Sequence, residues 1–236
     1  MLQDSAFTGG RIVMPQTPGD LLPAAAWSDS PLVRVLIAIS VFLLLIALLD
    51  IIRLLPDIFE AVSRWKGNVN LEHNLSIARN RDRIAYAFFL PFCLICDRFG
   101  FYTPRFLAFI PEGYTVLGVL GAWLVFLMLR WLLFFFWHPS GVDHDHRMAA
   151  HRNLFNKFIF FTMLMLLTVG IFALTGTSEG TFRLILLAET GLMFLLSWIH
   201  TVQILNTRCA GLSTFLYLCA LEFAPAALLV ISALLL

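Results

Sequence analysis

Along the chain, polar segments alternate with apolar runs too long for the core of a soluble domain. After a polar opening rich in proline and glycine (residues 1–30), apolar side chains dominate six stretches. These are roughly Leu32–Leu49, Ile84–Phe99, Tyr114–Trp137, Leu154–Leu174, Phe182–Leu205 and Gly211–Leu236. A helix needs about 20 apolar residues to cross a bilayer. The pattern therefore predicts an all-α fold, a polytopic membrane helix bundle of about six transmembrane helices. The second run is the weakest: its core, IAYAFFLPFCLIC, is 13 residues long and contains Pro91. Five spans plus a re-entrant segment is the alternative.

Two regions follow: a polar N-terminal segment at 1–30, and a transmembrane helical domain at 31–236 that includes an amphipathic and basic loop at 51–83. Residues 1–30 lack the basic-then-apolar order of a cleavable signal peptide, so the first run reads as a retained signal anchor. Within IIRLLPDIFEAVSRW, Ile51, Leu55, Phe59 and Val62 recur at helical spacing. Asp57, Glu60 and Arg64 lie off that stripe, and Glu60 and Arg64 stand at a favourable i,i+4 spacing. This predicts a helix lying in the membrane interface, followed by the polar stretch GNVNLEHNLSIARNRDR. No internal repeat is evident.

Composition supports the same class. Of 236 residues, 60% are hydrophobic and 13% charged, and mean hydropathy is +0.86, whereas a soluble domain carries about 25% charged residues. A net charge of +1 without a basic block gives no reason to expect nucleic acid. The expected partners are the lipid bilayer and other membrane proteins or a homo-oligomer, and no cofactor is predicted. For six spans, ten Lys/Arg side chains fall on one side and five on the other, with Arg130 inside a span. The excess marks the cytoplasmic side, so both termini are expected outside the cytoplasm.

Charges inside the apolar runs are the candidate chemistry, because each costs about 2.5–3.5 kcal/mol at the centre of a bilayer. Glu222 lies eleven residues into the last run, about 16 Å deep at the helical rise. Pro225 cannot donate to the carbonyl of Leu221, so acid and bare carbonyl form a polar notch. Arg130, eight residues before His138, lies at nearly the same depth and is the expected partner. A structural role for this pair is favoured over a direct one in transport or catalysis. Glu189 is a third intramembrane charge. Ser197, His200 and Thr201 share a helical face below it, with Gln203 nearby. They read as interhelical hydrogen bonding or, more sharply, as a polar pathway from Glu189 to His200.

Other motifs are weaker. His138, Asp143, His144, Asp145, His146 and His151 crowd one loop whose donors suit zinc or iron. No HExxH and no His-x-x-x-His box is present, and a solvated loop is favoured. Cys93-Leu-Ile-Cys96 resembles the CxxC of quinone-linked thiol oxidases of the bacterial inner membrane. Those enzymes need a second outward cysteine pair, while Cys209 falls on the cytoplasmic side and Cys219 within the last span. Cys93 and Cys96 therefore read as small apolar helix residues.

The run Tyr217-Leu-Cys219-Ala-Leu221-Glu222-Phe-Ala-Pro225 resembles the closing signature of an uncharacterised family of small multi-pass inner-membrane proteins from Bacteroidetes. The layout of one span, a basic loop and several further spans is similar too. The resemblance implies a helical protein of the bacterial inner membrane, with Tyr217, Cys219, Glu222 and Pro225 as its site. It implies no activity. The favoured function is a non-enzymatic membrane component, either a transporter-like unit or a subunit of an envelope complex. Its polar residues are scattered instead of converging on one catalytic set. The alternative is a membrane enzyme acting on a lipid or quinone, with a metal site in the His138–His151 loop.

Overall fold

The computed structural model describes residues 24–101, 110, 113–136, 144–175, 179–206, 215 and 217–228, and every regular element among them is helical. These are α1 (Ala24–Asp29), α2 (Pro31–Ser63), α3 (Trp65–His73), α4 (Leu75–Arg98), α5 (Thr115–Phe136), α6 (His144–Thr175) and α7 (Glu179–Asn206). A π-helical turn, Cys219–Phe223, lies in the last apolar run.

Contacts at the two ends of the bundle fix the direction of each helix. At one end Trp27 donates to Asp97 at 2.8 Å and Arg183 to the carbonyl of Gly100 at 2.7 Å, while Arg98 pairs with Glu179 at 2.9 Å. This gathers the start of α2, the end of α4 and the start of α7. At the other end Lys157 of α6 donates to the carbonyl of Ala61 in α2 at 2.6 Å, and Arg152 of α6 lies 3.6 Å from Asp82 of α4. Neighbours α2 and α4, and α6 and α7, therefore run antiparallel. Among the described residues five helices, α2, α4, α5, α6 and α7, span the bundle from end to end.

Among the described residues four helices are long and apolar enough to cross a membrane: α2, α5, α6 from Arg147 onward, and α7. This is fewer than the six hydrophobic runs. The last run is described only in part. The other missing span, α4, begins nine residues before the apolar run that announced it, and its first half carries Arg79, Arg81, Asp82 and Arg83. Residues 91–96 are buried in succession, so the last part of α4 is covered all round by protein and need not be apolar enough for lipid. It is one uninterrupted helix through Pro91, and no re-entrant turn occurs in it. Gly100 ends it at φ 60°, letting Phe101 donate to Cys96 and Gly100 to Asp97. That left-handed cap satisfies the last carbonyls and suits glycine.

The outer surface is built for hydrocarbon. Phe42, Leu45, Ile46 and Leu49 of α2 and Met128, Trp131 and Phe135 of α5 are all exposed, an apolar exterior that water would penalise.

Two further expectations are corrected. The segment expected to lie in the interface continues the first span as the second half of α2, a single helix of 33 residues. Its buried positions are Ile51, Leu54, Ile58 and Ala61, while Leu55 and Phe59 of the expected stripe are 41% and 61% exposed. This helix is apolar on more than one face, and packing against Ile84, Ala85, Phe88 and Ile159 selects which one is buried. The polar stretch after it is no loop. It forms α3 and the start of α4, separated at Asn74, whose side chain accepts from the Ser76 and Ile77 amides as an N-cap.

Between α2 and α3 the chain breaks at Arg64, in extended geometry, and turns back over the end of α2. A Cβ on Gly67 would lie 2.8 Å from the Ala61 nitrogen and 2.9 Å from the Glu60 oxygen. Both atoms are backbone and cannot swing away. Gly67→Ala should therefore destabilise the protein by about 1–3 kcal/mol through overpacking, read as a lower melting temperature in detergent. Gly121→Ala, which meets nothing within 4 Å, should leave it unchanged.

Candidate functional site

Arg130 is the one charge in α5, a helix otherwise made almost wholly of aliphatic and aromatic residues. It is 4% exposed, and Glu222 is 2% exposed. The two meet as a two-pronged ion pair: Nη1 donates to Oε2 and Nη2 to Oε1, each at 2.6 Å. Nη2 also donates to the carbonyl of His151 at 3.1 Å. Parallel charge-assisted bonds of this kind fix orientation as well as energy.

The π turn explains how the last helix can present Glu222. Pro225 has no amide hydrogen, and Ala224 donates to the carbonyl of Cys219, five residues back. In an unbroken α-helix Glu222 would stand about 140° around from Tyr217. The residue inserted by the wide turn brings both onto one buried face with Pro225, while Phe223 and Ala224 face outward. Such turns recur at functional sites.

Around the pair lies a small group of aromatic and basic side chains. His151 stacks on Phe134 with ring centroids 4.0 Å apart, and the Arg147 guanidinium sits 5.1 Å from the same ring. Tyr217 is 1% exposed. Its hydroxyl, His151 Nδ1 and Arg147 Nε are buried without a hydrogen-bond partner among the described residues.

A second polar cluster continues from α6. The last carbonyls of α2 have no intrahelical donor, and that of Ala61 accepts Lys157 Nζ at 2.6 Å and Asn68 Nδ2 at 2.9 Å. The His200 imidazole reaches the same carbonyl. Asn156 donates to Asn68 at 2.6 Å, and Asn153 donates to the Ser197 carbonyl at 2.8 Å and to Thr201 Oγ1 at 3.1 Å. Lys157 is fully buried.

Of the residues picked out in the sequence, Arg130, Glu222, Tyr217 and Pro225 come together, with Cys219 half-buried in the π turn. His200, Ser197 and Thr201 share a buried face, and Gln203 is exposed. Glu189 is elsewhere: it accepts from Thr168 Oγ1 at 2.7 Å, and no described hydrogen bond links it to His200. His138, Asp143 and Cys209 lie outside the described residues, and His144, Asp145 and His146 open α6. His151 belongs to the interior, not to a solvated loop. Among the described residues no three His, Cys, Asp or Glu side chains are placed to hold a metal ion. Cys93 and Cys96 are buried and free.

Sequence reading missed Asn68, Arg81, Asn153, Asn156 and Lys157, all buried. One signal was available. Asn153, Asn156 and Lys157 stand at i, i+3 and i+4, one face of a helix, but the apolar run begins only at Leu154 and the helix ten residues earlier. No family model, curated protein or solved structure matches this chain.

If pair and fold depend on each other, Glu222→Gln and Arg130→Met should each destabilise the protein by about 3–5 kcal/mol, because each strands a buried charge or its donors. The double variant should recover much of that loss in thermal unfolding. Additive losses would mean that the two side chains are energetically independent.

Proposed function

We propose that this chain is a non-enzymatic, transporter-like component of the bacterial inner membrane that moves protons through its buried polar half. The observation that carries the reading is the ion pair between Arg130 and Glu222, closed by two 2.6 Å bonds and presented by a π turn. Ionisable groups at such depth are costly and mark ion and proton pathways in membrane proteins. Lys157, His200 and the asparagines of α6 extend the polar region toward the end of the bundle that carries α3. The closing motif, with its resemblance to multi-pass inner-membrane proteins, supports the same setting.

In this reading α4 and the last helix also cross, giving six spans, and the end carrying α3 is cytoplasmic with both termini outside. The helix directions and the ten-to-five charge excess support that orientation. Reporter fusions at Gly67 and Gly141 should both read cytoplasmic, and an outward signal at Gly141 would reject six spans.

The functional test uses purified protein in liposomes under an imposed pH gradient, with an entrapped pH dye. The wild type should collapse the gradient faster than empty vesicles. Glu222→Gln, checked by size exclusion to be folded, should return the rate to that of empty vesicles. Wild-type flux no greater than empty vesicles would overturn the proton reading and leave a subunit of an envelope complex.

A further inference from the structure

Beyond the ion pair, four helices enclose a cleft. Ala85 and Tyr86 of α4 face Phe126 and Leu127 of α5, with Phe155 of α6 and Met193 of α7 closing it. The enclosed space is narrow, about 30 Å³, and the cleft opens at Tyr86, which is 68% exposed. Every lining side chain is apolar or aromatic.

The cleft has a polar end, and all four helices supply it at the same level. One turn from Ala85 stands Arg81, one turn from Phe126 stands Arg130, one turn from Phe155 stands His151, and one turn from Met193 stands Ser197. Contacts tie these positions together. His151 meets the edge of Phe155, which lines the cleft, at a centroid distance of 6.5 Å. The charges of Arg130, Arg152, Arg81 and Arg147 all act on His151. At that end three buried polar atoms have no partner among the described residues: Arg147 Nε, Tyr217 Oη and His151 Nδ1. Tyr217 and His151 are 1% and 9% exposed. Arg147 Nε and Tyr217 Oη are donors, and His151 can be one. Buried donors left open cost stability unless an acceptor joins them.

An apolar slot that opens to the side, with a cluster of guanidinium groups and the open donors of Arg147 and Tyr217 beyond its inner end, complements an amphiphile bearing a phosphate. We propose that the cleft binds one acyl chain of an anionic phospholipid, with the lipid phosphate accepting from Arg147 and Tyr217 at the basic end. A zwitterionic headgroup offers the same phosphate but carries a compensating cation into a cluster of arginines. The site therefore selects net negative charge. This goes beyond the proton reading and does not depend on it, since a protein that moves no protons can still hold a lipid.

The test is native mass spectrometry of the full chain, released from detergent containing equal amounts of phosphatidylglycerol and phosphatidylcholine. The wild type should retain phosphatidylglycerol in clear excess. Arg147→Gln should cut that preference about fivefold, the factor one basic side chain contributes toward anionic lipid, and Arg147→Lys should restore most of it. Leu127→Trp, which fills the cleft from its half-buried edge, should lower retention of both lipids. Melting temperatures recorded in parallel separate folded variants from unfolded ones, and Tyr86→Trp at the exposed mouth serves if Leu127→Trp does not fold. Equal retention of the two lipids by the wild type would overturn the proposal. So would a preference unchanged in Arg147→Gln, or millimolar inorganic phosphate displacing the lipid completely, which would leave the chain no role. Loss of proton flux in Glu222→Gln with lipid selectivity intact would support the two sites as separate.

Discussion

The desolvated ion pair between Arg130 and Glu222 constrains everything near it. An isolated charge at this depth is unaffordable for a bundle whose outer surface is hydrocarbon, and an arginine cannot shed its proton to escape. Arg130 therefore obliges the fold to deliver a carboxylate, and among the described residues the last helix supplies it. The partners are 92 residues apart in sequence. The bond to the His151 carbonyl adds α6 to the same junction, so three elements from distant parts of the chain are held by one guanidinium. Tyr217, Pro225 and Phe134 then pack around groups whose positions are already set.

A backbone carbonyl plays the corresponding part in the second cluster. Because α2 ends at Ser63, the Ala61 oxygen has no helical donor, and Lys157, Asn68 and His200 converge on it. The tight turn at Gly67 is what allows α3 to bring Asn68 back to that oxygen. This couples the end of α2 to α6 and α7 without any carboxylate. The polar half of the bundle is thus held by directional bonds. The other half adds aromatic packing, of Phe92 with Trp123 and of Phe99 with Phe172 and Phe182, to the end contacts of Trp27, Arg98 and Arg183.

How much of this the sequence disclosed depends on which physical signal each element leaves. Long apolar runs exposed α2, α5, α6 and α7, because lipid-facing residues must be apolar on most sides. They said little of α4, whose neighbours replace lipid and tolerate Arg81 and Asp82 at its start. Glu222 and Arg130 were legible because a charge amid apolar residues is conspicuous and depth can be counted in residues. Lys157 and the asparagines of α6 were not, since they sit where polar residues end and apolar ones begin and so look like a loop edge. The π turn left one trace, the proline three residues after the acid. That trace pointed to a freed carbonyl but not to the inserted residue that turns Glu222 inward.

The inserted residue also determines how the pair can open. Converting the π turn to regular helix removes one residue from it and rotates the helix on one side by about 100°. Either Glu222 and Pro225 rotate away from Arg130, or Tyr217 leaves the buried face. The ion pair and the π turn therefore stand or fall together. Pro225 opposes the conversion because it has no amide hydrogen to offer the Leu221 carbonyl, so regular helix gains no bond at that position. A small backbone rearrangement in the last helix is thus geometrically linked to making or breaking a charge pair that joins it to α5 and α6. The apolar faces of the bundle, by contrast, gain or lose contact by degrees.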